Sequence, residues 1–378
     1  MEVEVAELER LLLISVVGRL ARRATPALAV WGPPGCGKSS IITSFAKSLG
    51  GRVEVVELAQ QDPTLLGGYP VPTPHGKERT IRLIRPSWWV ELEEVTEAWR
   101  RGESDTFGLL FLDELTQAHP SITSAVLELV RTASYPVVIA GNRMEEGGLW
   151  EPPPPLSNRL LHVVLKPTRT ELSEELLREP APLRETQPRG GLRELVERAK
   201  KEVGWRRKVA LYVLSEGAPS ERDIKPQPFA GWATNRSLEF VAETLSILEV
   251  VSDGWDEKVK ERLVEVIVDG CIGAEEGVRF LEWMRSKVDL DAVLSGALPL
   301  SSLRIDQKYK CILKAIERGD EAVWQLVRLM WGMVKGREKE ECRELGVVAA
   351  RMAIEAGGKI PLDLAKEFLN TELWRWVV

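Results

Sequence analysis

The residues best suited to chemistry lie near the start of the chain, in a glycine-rich segment that ends in lysine and serine. Gly32 to Ser39 reads Gly-Pro-Pro-Gly-Cys-Gly-Lys-Ser, the G-x-x-x-x-G-K-S pattern of a phosphate-binding loop. Glycines let backbone N–H groups turn towards phosphate oxygens, and Lys38 can reach the β- and γ-phosphates. The Ser39 hydroxyl can ligate Mg²⁺. We therefore expect a nucleoside triphosphate and Mg²⁺ to bind at Gly32, Pro33, Pro34, Gly35, Cys36, Gly37, Lys38, Ser39 and Ser40.

A second group of reactive residues follows an apolar run later in the chain. Leu109 to Leu112 precedes Asp113 and Glu114. An Asp at the carboxyl end of a buried strand can reach Mg²⁺, and the adjacent Glu can orient and deprotonate an attacking water. Asn142 ends a later strand pattern, where its amide can hydrogen-bond the γ-phosphate or that water. These residues predict an enzyme that hydrolyses the γ-phosphate; an acidic helix cap and a turn asparagine are the alternatives without catalysis.

The elements that must position these residues follow from the spacing of apolar residues. Ala27 to Trp31 is a short apolar run typical of a buried strand, and Ser40 to Leu49 has helical spacing until two glycines stop it. Further strands are predicted at Val53–Leu58, Leu109–Glu114, Tyr135–Asn142 and Leu160–Leu165, with helices at Ser87–Arg101, Ile122–Val130 and, amphipathic, at about residues 5 to 24. Strands alternating with helices predict an α/β fold with a parallel sheet covered on both faces.

The pattern changes near Pro167, beyond which it is mostly helical. Helices are predicted at Leu192–Leu214, Ser237–Val250, Asp256–Val268, Glu275–Lys287, Lys308–Glu317, Asp320–Val334 and Glu338–Ala356, with a linker or exposed loop at Pro180–Gly191. We therefore expect three parts: an α/β nucleotide-binding core over residues 1–167, and helical regions over residues 168–250 and 251–378.

A segment rich in glycine and proline, residues 60–86, is too long for an ordinary connection inside the core. It is expected to form a hairpin with Thr80–Ile84 as the returning strand. Such a hairpin can project from the core and contact a client molecule or line a pore, through Tyr69, Arg79, Ile81 and Arg82. A surface loop without client contact is the alternative.

Bulk composition limits the function classes. The formal net charge is −6 and the pI is about 5.5, which argues against a dedicated duplex-DNA binder. The four cysteines include no C-x-x-C pair, so neither a zinc site nor a disulfide framework is indicated. The acidic N-terminal residues lack the basic start of a signal peptide, and no apolar run is long enough to span a membrane. A cytoplasmic protein without a membrane partner is expected.

Three of these motifs together resemble the AAA+ ATPases. Gly32 to Ser39 is similar to their Walker A motif, Leu109 to Glu114 to Walker B, and Val138 to Asn142 to sensor 1. More narrowly, Gln61 to Tyr69 and Leu156 to Leu160 resemble the MoxR-like group of the helix-2-insert clade. The resemblance implies a P-loop NTPase core with an α-helical lid, and ATP as the substrate.

The resemblance also implies roles for two arginines and a ring-shaped assembly. Arg159, which follows Glu151-Pro-Pro-Pro-Pro155, matches the arginine finger that acts in trans on a neighbouring subunit. Arg236 matches the sensor 2 arginine at the start of a lid helix. A homo-oligomer, usually a hexamer, is therefore expected. MoxR-like proteins remodel or activate protein partners, commonly ones with a von Willebrand factor A domain, so a separate client protein is expected.

Two departures from the family leave alternatives open. The Asn-Arg that often follows the Walker B acids is Thr116-Gln117 here, and the Asn-Pro of sensor 1 is Asn142-Arg143. Arg143 is therefore a second candidate for the finger. The alternative functions are a nucleic-acid translocase or restriction-type motor, supported by Lys77, Arg79, Arg82 and Arg85, and a chelatase-type motor subunit. A non-hydrolysing nucleotide switch is disfavoured because it has no need of Glu114.

Overall fold

The computed structural model describes residues 1–75, 78–168, 191–217, 226–333 and 339–369. The strands in these residues are β1 (Glu2–Val3), β2 (Ala27–Trp31), β3 (Gly51–Glu57), β4 (Tyr69–His75), β5 (Glu78–Ile84), β6 (Phe107–Asp113), β7 (Val137–Gly141) and β8 (Leu160–Leu165). The α-helices are α1 (Val5–Leu20), α2 (Lys38–Ser48), α3 (Pro63–Gly67), α4 (Ser87–Arg101), α5 (Thr123–Thr132), α6 (Pro154–Ser157), α7 (Leu192–Lys201), α8 (Gly204–Glu216), α9 (Asn235–Val251), α10 (Glu257–Ile272), α11 (Ala274–Arg285), α12 (Leu290–Leu294), α13 (Ile305–Arg318), α14 (Asp320–Met333), α15 (Lys339–Glu355) and α16 (Leu362–Leu369).

A six-stranded parallel sheet in the order β1-β8-β2-β7-β6-β3 forms the centre of the α/β part. Every residue of β2 and β7 is buried, as are the six residues of β6 before Asp113. Continuous apolar strands are stable only when helices cover both faces of the sheet, so the predicted parallel α/β fold is confirmed.

The strand order decides which strand ends are neighbours. β7 lies between β2 and β6, with Trp31 paired to Gly141 and Leu112 paired to Ile139. The segments that follow β2, β7 and β6 therefore leave the same edge of the sheet side by side. Ligands of parallel α/β sheets bind at the carboxyl ends of the strands, where the chain order reverses.

The first helix differs from its predicted form. α1 ends at Leu20 instead of continuing to about residue 24, and it is buried nearly all round instead of on one face. The reason is that α1 contacts α2 as well as α7 and α9, so helices cover most of its surface. The two-residue strand β1, which no apolar pattern indicated, pairs with β8.

Most other predicted elements are confirmed, with shifts of a few residues at their ends. The predicted helix Leu192–Leu214 is wrong as a single element, because the chain breaks into α7 and α8. The Glu202 side chain accepts a hydrogen bond from the Gly204 N–H (2.7 Å), which caps the start of α8. The predicted strand Leu109–Glu114 ends one residue earlier, at Asp113.

The hairpin predicted within residues 60–86 is confirmed. β4 and β5 form a separate antiparallel two-stranded sheet, with register running from Tyr69 opposite Ile84 to His75 opposite Glu78. The short helix α3 precedes it. The hairpin is joined to α4, whose C-terminal cap is Gly102 in the left-handed conformation.

The chain divides into two compact units, one of residues 1–205 and 222–278, the other of residues 206–221 and 279–378. The first holds the sheet, the hairpin, α9 and α10. In the second, Tyr212 packs edge-to-face on Phe280 and Trp283, with ring centroids 5.0 and 5.6 Å apart. The three-part division drawn from the sequence stays a prediction, and its linker at 180–190 lies outside the described residues.

Membrane insertion has no support from the helices that the structure describes. None of them combines the length and the apolar composition that crossing a bilayer requires.

Candidate nucleotide site

The glycine-rich loop lies at the carboxyl end of β2, which ends at Trp31, and at the start of α2, which begins at Lys38. Gly35 and Gly37 have φ angles of +75° and +90°. A side chain is strained in this left-handed region, so glycine is required here by the backbone conformation. The loop and the N-terminal end of α2 together present backbone N–H groups to one space, an arrangement that favours an anion.

Lys38 is a buried cation whose hydrogen-bond acceptors in the described residues are neutral. Its side chain is 7% exposed. Its Nζ donates hydrogen bonds to the carbonyl oxygens of Gly32 (2.7 Å) and Pro33 (2.9 Å) and to Oδ1 of Asn142 (3.2 Å). Cys36 Sγ lies 3.8 Å away. Since a buried charge is stabilised by an opposite charge, the site favours an anionic group beside Lys38.

Ser39 and Asp113 meet although they are far apart in sequence. The Ser39 hydroxyl donates to Asp113 Oδ2 at 2.6 Å, and Asp113 Oδ1 accepts from the Glu114 N–H at 2.8 Å. A hydroxyl and a carboxylate side by side form the hard oxygen donor set that Mg²⁺ prefers. The residues therefore fit the Mg²⁺ that the sequence predicted.

Glu114 occupies an unusual backbone conformation immediately after β6. Its φ of +57° lies in the left-handed region, which costs of order 1–3 kcal/mol for a residue with a side chain. Its side chain is exposed, and no hydrogen bond or ion pair engages its carboxylate within the described residues. An unengaged carboxylate held beside the Asp113 carboxylate is suited to accept a proton from water.

Asn142 is fixed by a residue that sequence reasoning did not single out as functional. The Thr116 Oγ1 accepts a hydrogen bond from the Asn142 N–H (3.0 Å) and donates one to the Asn142 carbonyl oxygen (2.8 Å). Thr116 is fully buried. This hydroxyl ties the segment after β6 to the segment after β7. The available signal was its departure from the Asn that the MoxR-like pattern implies two residues beyond Glu114.

Arg143 is engaged within its own chain. Its guanidinium forms ion pairs with Glu145 (3.1 Å) and Glu146 (2.7 Å). The hydrogen bond with Glu146 raises the pKa of Arg143 above its ordinary value. Burial opposes the charged form of Glu146, but its bonds to Arg143 and the nearby charge of Lys38 hold its pKa below the usual range. Arg143 therefore already forms ion pairs with carboxylates.

Arg159 and Arg236 lie close to each other at the ends of two different segments. Burial and then the charge of Arg236 lower the pKa of Arg159. Arg159 Nη1 donates to the Pro155 carbonyl oxygen (2.5 Å), and Thr234 Oγ1 donates to Asn158 Oδ1 (3.1 Å), which joins the two segments. Among the described residues, no hydrogen bond or ion pair joins Arg159 or Arg236 to Ser39, Asp113, Glu114 or Asn142.

A buried histidine links the strand before the loop to the segment before α9. Trp31 Nε1 donates to His162 Nδ1 (3.0 Å), so His162 carries its proton on Nε2 and donates to the Ser157 carbonyl oxygen (2.8 Å). The Ser157 hydroxyl donates to the Ala230 carbonyl oxygen (3.4 Å). The indole of Trp31 also packs edge-to-face on Phe229, with centroids 5.0 Å apart. Burial lowers the pKa of His162 to about 4.

The residues predicted to contact a client lie on the hairpin, apart from the loop site. Tyr69 and Ile81 are 59% and 73% exposed, and Arg82 is also exposed. The side chain of Arg79 lies outside the described part of the structure. Exposure of large apolar side chains on a two-stranded sheet leaves surface available for another molecule.

The strand order, the loop and the residues around it define a P-loop nucleoside triphosphatase fold. Residues 27–147 match the family model described as "AAA domain (dynein-related subfamily)". This part of the chain is therefore similar to an AAA domain, which supports ATPase activity. No curated protein matches the sequence. Among solved structures, the chain is similar to a "putative ATPase" from Cytophaga hutchinsonii, with 13% identity and a TM-score of 0.42, over 72% of this chain and 83% of that chain.

The matched segment contains the loop, Asp113, Glu114 and Asn142, whereas Arg159 and Arg236 lie outside it. The individual roles of all the predicted site residues, including the two arginines, stay predictions.

Proposed function

We propose that this chain is a MoxR-like AAA+ ATPase that hydrolyses ATP with Mg²⁺ in an oligomeric ring, in the cytoplasm, and uses the energy to remodel or activate a protein partner. The observation that carries the proposal is the convergence of four side chains at three neighbouring strand ends. There Lys38 donates a hydrogen bond to Asn142, and Ser39 donates one to Asp113. The side chain of Glu114 lies beside them, exposed and without a hydrogen bond in the described residues.

Each of these side chains has a distinct task in hydrolysis. Lys38 transfers its hydrogen bonds from neutral carbonyl oxygens to the β- and γ-phosphates. Ser39 and Asp113 hold Mg²⁺, which when bound neutralises charge on the phosphate oxygens. Glu114 orients the attacking water and accepts its proton, and Asn142 donates its amide N–H to the water or the γ-phosphate.

The ring belongs to the proposal because two positive groups lie outside the loop site. Within the described residues, Arg159 has one carbonyl acceptor and two like-charged neighbours, Arg236 and Arg131. Phosphate oxygens of a nucleotide held by an adjacent subunit are a better partner for it, because negative charge spreads over them in the transition state. We therefore assign Arg159 as the finger in trans, Arg236 as sensor 2, and a hexamer as the active assembly.

The client is proposed to be a protein, with a von Willebrand factor A domain protein as the family-based candidate. The exposed apolar side chains of Tyr69 and Ile81 support a protein contact. Arg82 is exposed and has no ion pair within the described residues, which also suits a nucleic acid and keeps a translocase as the second candidate.

The test compares wild type, Glu114→Gln and the matched control Glu94→Gln, an exposed glutamate on α4. Glu114→Gln is expected to keep ATP binding, measured with a fluorescent analogue, and to lower the Mg²⁺-dependent hydrolysis rate by roughly 10²–10⁴-fold. Glu94→Gln is expected to match wild type. Equal rates for the two variants would refute the role of Glu114, and strong stimulation by single-stranded DNA or RNA would replace the protein client with nucleic acid.

A further inference from the structure

The first strand of the hairpin has proline at every second position, Pro70, Pro72 and Pro74. Alternate residues of a strand direct their N–H groups to the same edge, and proline has no N–H to direct. The ladder to β5 must therefore use the N–H groups of the residues between the prolines, such as Val71 opposite Arg82 and Thr73 opposite Thr80. The outer edge of β4 consequently presents carbonyl acceptors but no donors.

The same register leaves β5 with an outer edge that has both donors and acceptors. Thr80, Arg82 and Ile84 face β4, so the N–H and C=O groups of Ile81 and Leu83 point away from it. The sheet has only these two strands, and no other strand of the described residues pairs with β5. The side chains of Ile81 and Leu83 are 73% and 57% exposed. An open strand edge with exposed apolar side chains is a template for another strand.

The base of the hairpin is fixed to the AAA domain. The Arg85 guanidinium lies over the Trp89 ring, 4.8 Å from its centroid, and pairs with Glu93 at 3.2 Å. Trp89 is buried, and its Nε1 donates to Glu93 at 2.8 Å. A strand edge held in one conformation loses less entropy when a second strand pairs with it.

The register sets which groups a further strand would lie beside. Ile81 and Leu83 share one face with Pro70 and Pro72. Arg82 lies on the opposite face with the apolar side chains of Tyr69 and Ile84, where it is exposed and forms no ion pair within the described residues. A strand added to β5 therefore places one set of its side chains beside Ile81 and Leu83 and the other set beside Arg82, so hydrophobic residues alternating with acidic residues complement these groups.

We propose that the outer edge of β5 binds an extended segment of the client protein by strand addition, antiparallel to β5, and that this segment alternates hydrophobic and acidic residues. The proposal rests on the proposed function, since it names the feature of the protein client that the hairpin recognises. Backbone pairing supplies affinity, and the alternation supplies specificity.

The first test uses a fluorescein-labelled peptide of alternating Glu and Val, measured by anisotropy against the full chain with and without ATP and Mg²⁺. Binding is expected for this peptide and not for the Lys–Val peptide of equal length. Arg82→Glu is expected to lower the affinity for the Glu–Val peptide at least about tenfold. The same variant is expected to bind the Lys–Val peptide, which wild type does not bind. The matched control is Arg101→Glu, which replaces an exposed arginine on α4, outside the hairpin. This variant is expected to bind the peptides as wild type does.

The second test leaves the protein unchanged. In an antiparallel pair the residues opposite Ile81 and Leu83 direct their N–H groups at β5, and their side chains share the apolar face. N-methylation of the valines is therefore expected to abolish binding, and N-methylation of the glutamates to preserve it. Equal effects of both methylated peptides, or binding by neither unmodified peptide, overturn the proposal.

Measurements on the same chain and its variants distinguish two other possible occupants of the β5 edge. If the chain associates with itself in the absence of peptide and Leu83→Pro abolishes this association, the edge binds a second copy of the chain. If wild type binds single-stranded DNA but no peptide, and Arg82→Glu abolishes the DNA binding, the edge binds nucleic acid. Either result overturns the proposal. An ATPase that hydrolyses ATP but binds no peptide refutes the strand addition alone. Peptide binding without ATP hydrolysis refutes the proposed function and leaves the edge assignment standing.

Discussion

At the scale of single residues, the buried hydroxyl of Thr116 holds the backbone of Asn142, the proposed sensor 1 residue. Thr116 bonds both the N–H and the carbonyl oxygen of Asn142, at 3.0 and 2.8 Å. Because Asn142 also accepts from Lys38, the position of its amide relative to the phosphate loop depends on Thr116. Thr116 is therefore a positioning residue, acting through Asn142 without contacting the nucleotide.

Thr116→Val keeps the shape of the side chain but leaves the Asn142 N–H without its acceptor. We expect kcat to fall roughly 10- to 100-fold with little change in KM, because an unpaired buried donor costs about 1–3 kcal/mol and shifts Asn142. Thr116→Ser restores the hydroxyl and is expected to recover most of kcat. Steady-state ATPase kinetics and thermal unfolding measure both effects.

The matched control for this prediction is Thr96→Val. Thr96 is also fully buried, and its hydroxyl accepts from the Gly108 N–H at 2.9 Å, away from the loop. Its loss is expected to lower Tm without lowering kcat. A similar kcat for the two valine variants would show that Thr116 acts only through stability.

At the scale of elements, a buried network joins β2, β8, α6 and the segment before α9. Its centre is His162, which accepts from Trp31 and donates to Ser157. Trp31 immediately precedes the phosphate loop, and Ser157 lies two residues before Arg159. The network thus holds the start of the loop, the segment of Arg159 and the segment before α9 together, and it requires a neutral imidazole.

This requirement predicts a pH dependence of stability. Burial lowers the pKa of His162 from 6.5 to about 4. Its contribution is complete above pH 6.5 and is lost as the pH falls from 6.5 towards 4, because over that range the unfolded chain binds a proton that the folded chain does not. The loss amounts to about 3 kcal/mol in the free energy of unfolding.

Urea denaturation of wild type and His162→Gln at pH 7.5 and 4.5 measures this contribution. The stability difference between the two pH values is expected to be smaller in His162→Gln by about 2.5 kcal/mol, because pH 4.5 lies above the folded pKa of about 4. His119→Gln, which removes an exposed histidine, is expected to keep the wild-type difference. The same pH dependence in all three chains would contradict a neutral, buried His162.

At the scale of the whole molecule, the proposed active unit is larger than one chain. Within the described residues, Lys38 forms no ion pair, and Arg159 hydrogen-bonds only the Pro155 carbonyl while the charges of Arg236 and Arg131 repel it. A nucleotide bound between neighbouring copies would provide phosphate oxygens as anionic partners for both Lys38 and Arg159. Arg143, by contrast, already pairs with Glu145 and Glu146, so it needs no such partner.

Mixing two inactive variants tests this sharing. Lys38→Ala is expected to lose nucleotide binding, and Arg159→Ala to bind ATP but hydrolyse it roughly 10³-fold more slowly. In mixed rings, some sites combine Lys38 of one chain with Arg159 of another, so activity is expected to reappear. The ATPase rate at varied ratios of the two variants measures it.

The control mixture contains Lys38→Ala and Glu114→Gln. If Lys38 and Glu114 serve the same site from one chain, this mixture is expected to show no recovery. Wild-type activity of Arg159→Ala, together with loss of activity in Arg143→Ala, would transfer the role of finger to Arg143.

The sequence by itself determined the local elements and the chemistry of the loop. The spacing of Gly32, Lys38 and Ser39 indicates phosphate binding. This motif is readable from sequence because the conformation of the loop is set by residues that are adjacent in the chain. The apolar runs before Asp113 and Asn142 predict buried strands for the same local reason. The hairpin of residues 60–86 was also predictable, since its turn and its returning strand lie close together in the sequence.

Only the tertiary structure decided which distant residues meet. The strand order places Asp113 against Ser39, and the paths of two separate segments bring Thr116 to Asn142. Burial of α1 on nearly all sides and the neutral state of His162 likewise depend on elements far away in the sequence. Local periodicity fixes which backbone conformation a segment adopts, but pairing between segments depends on the packing of the whole sheet and its helices.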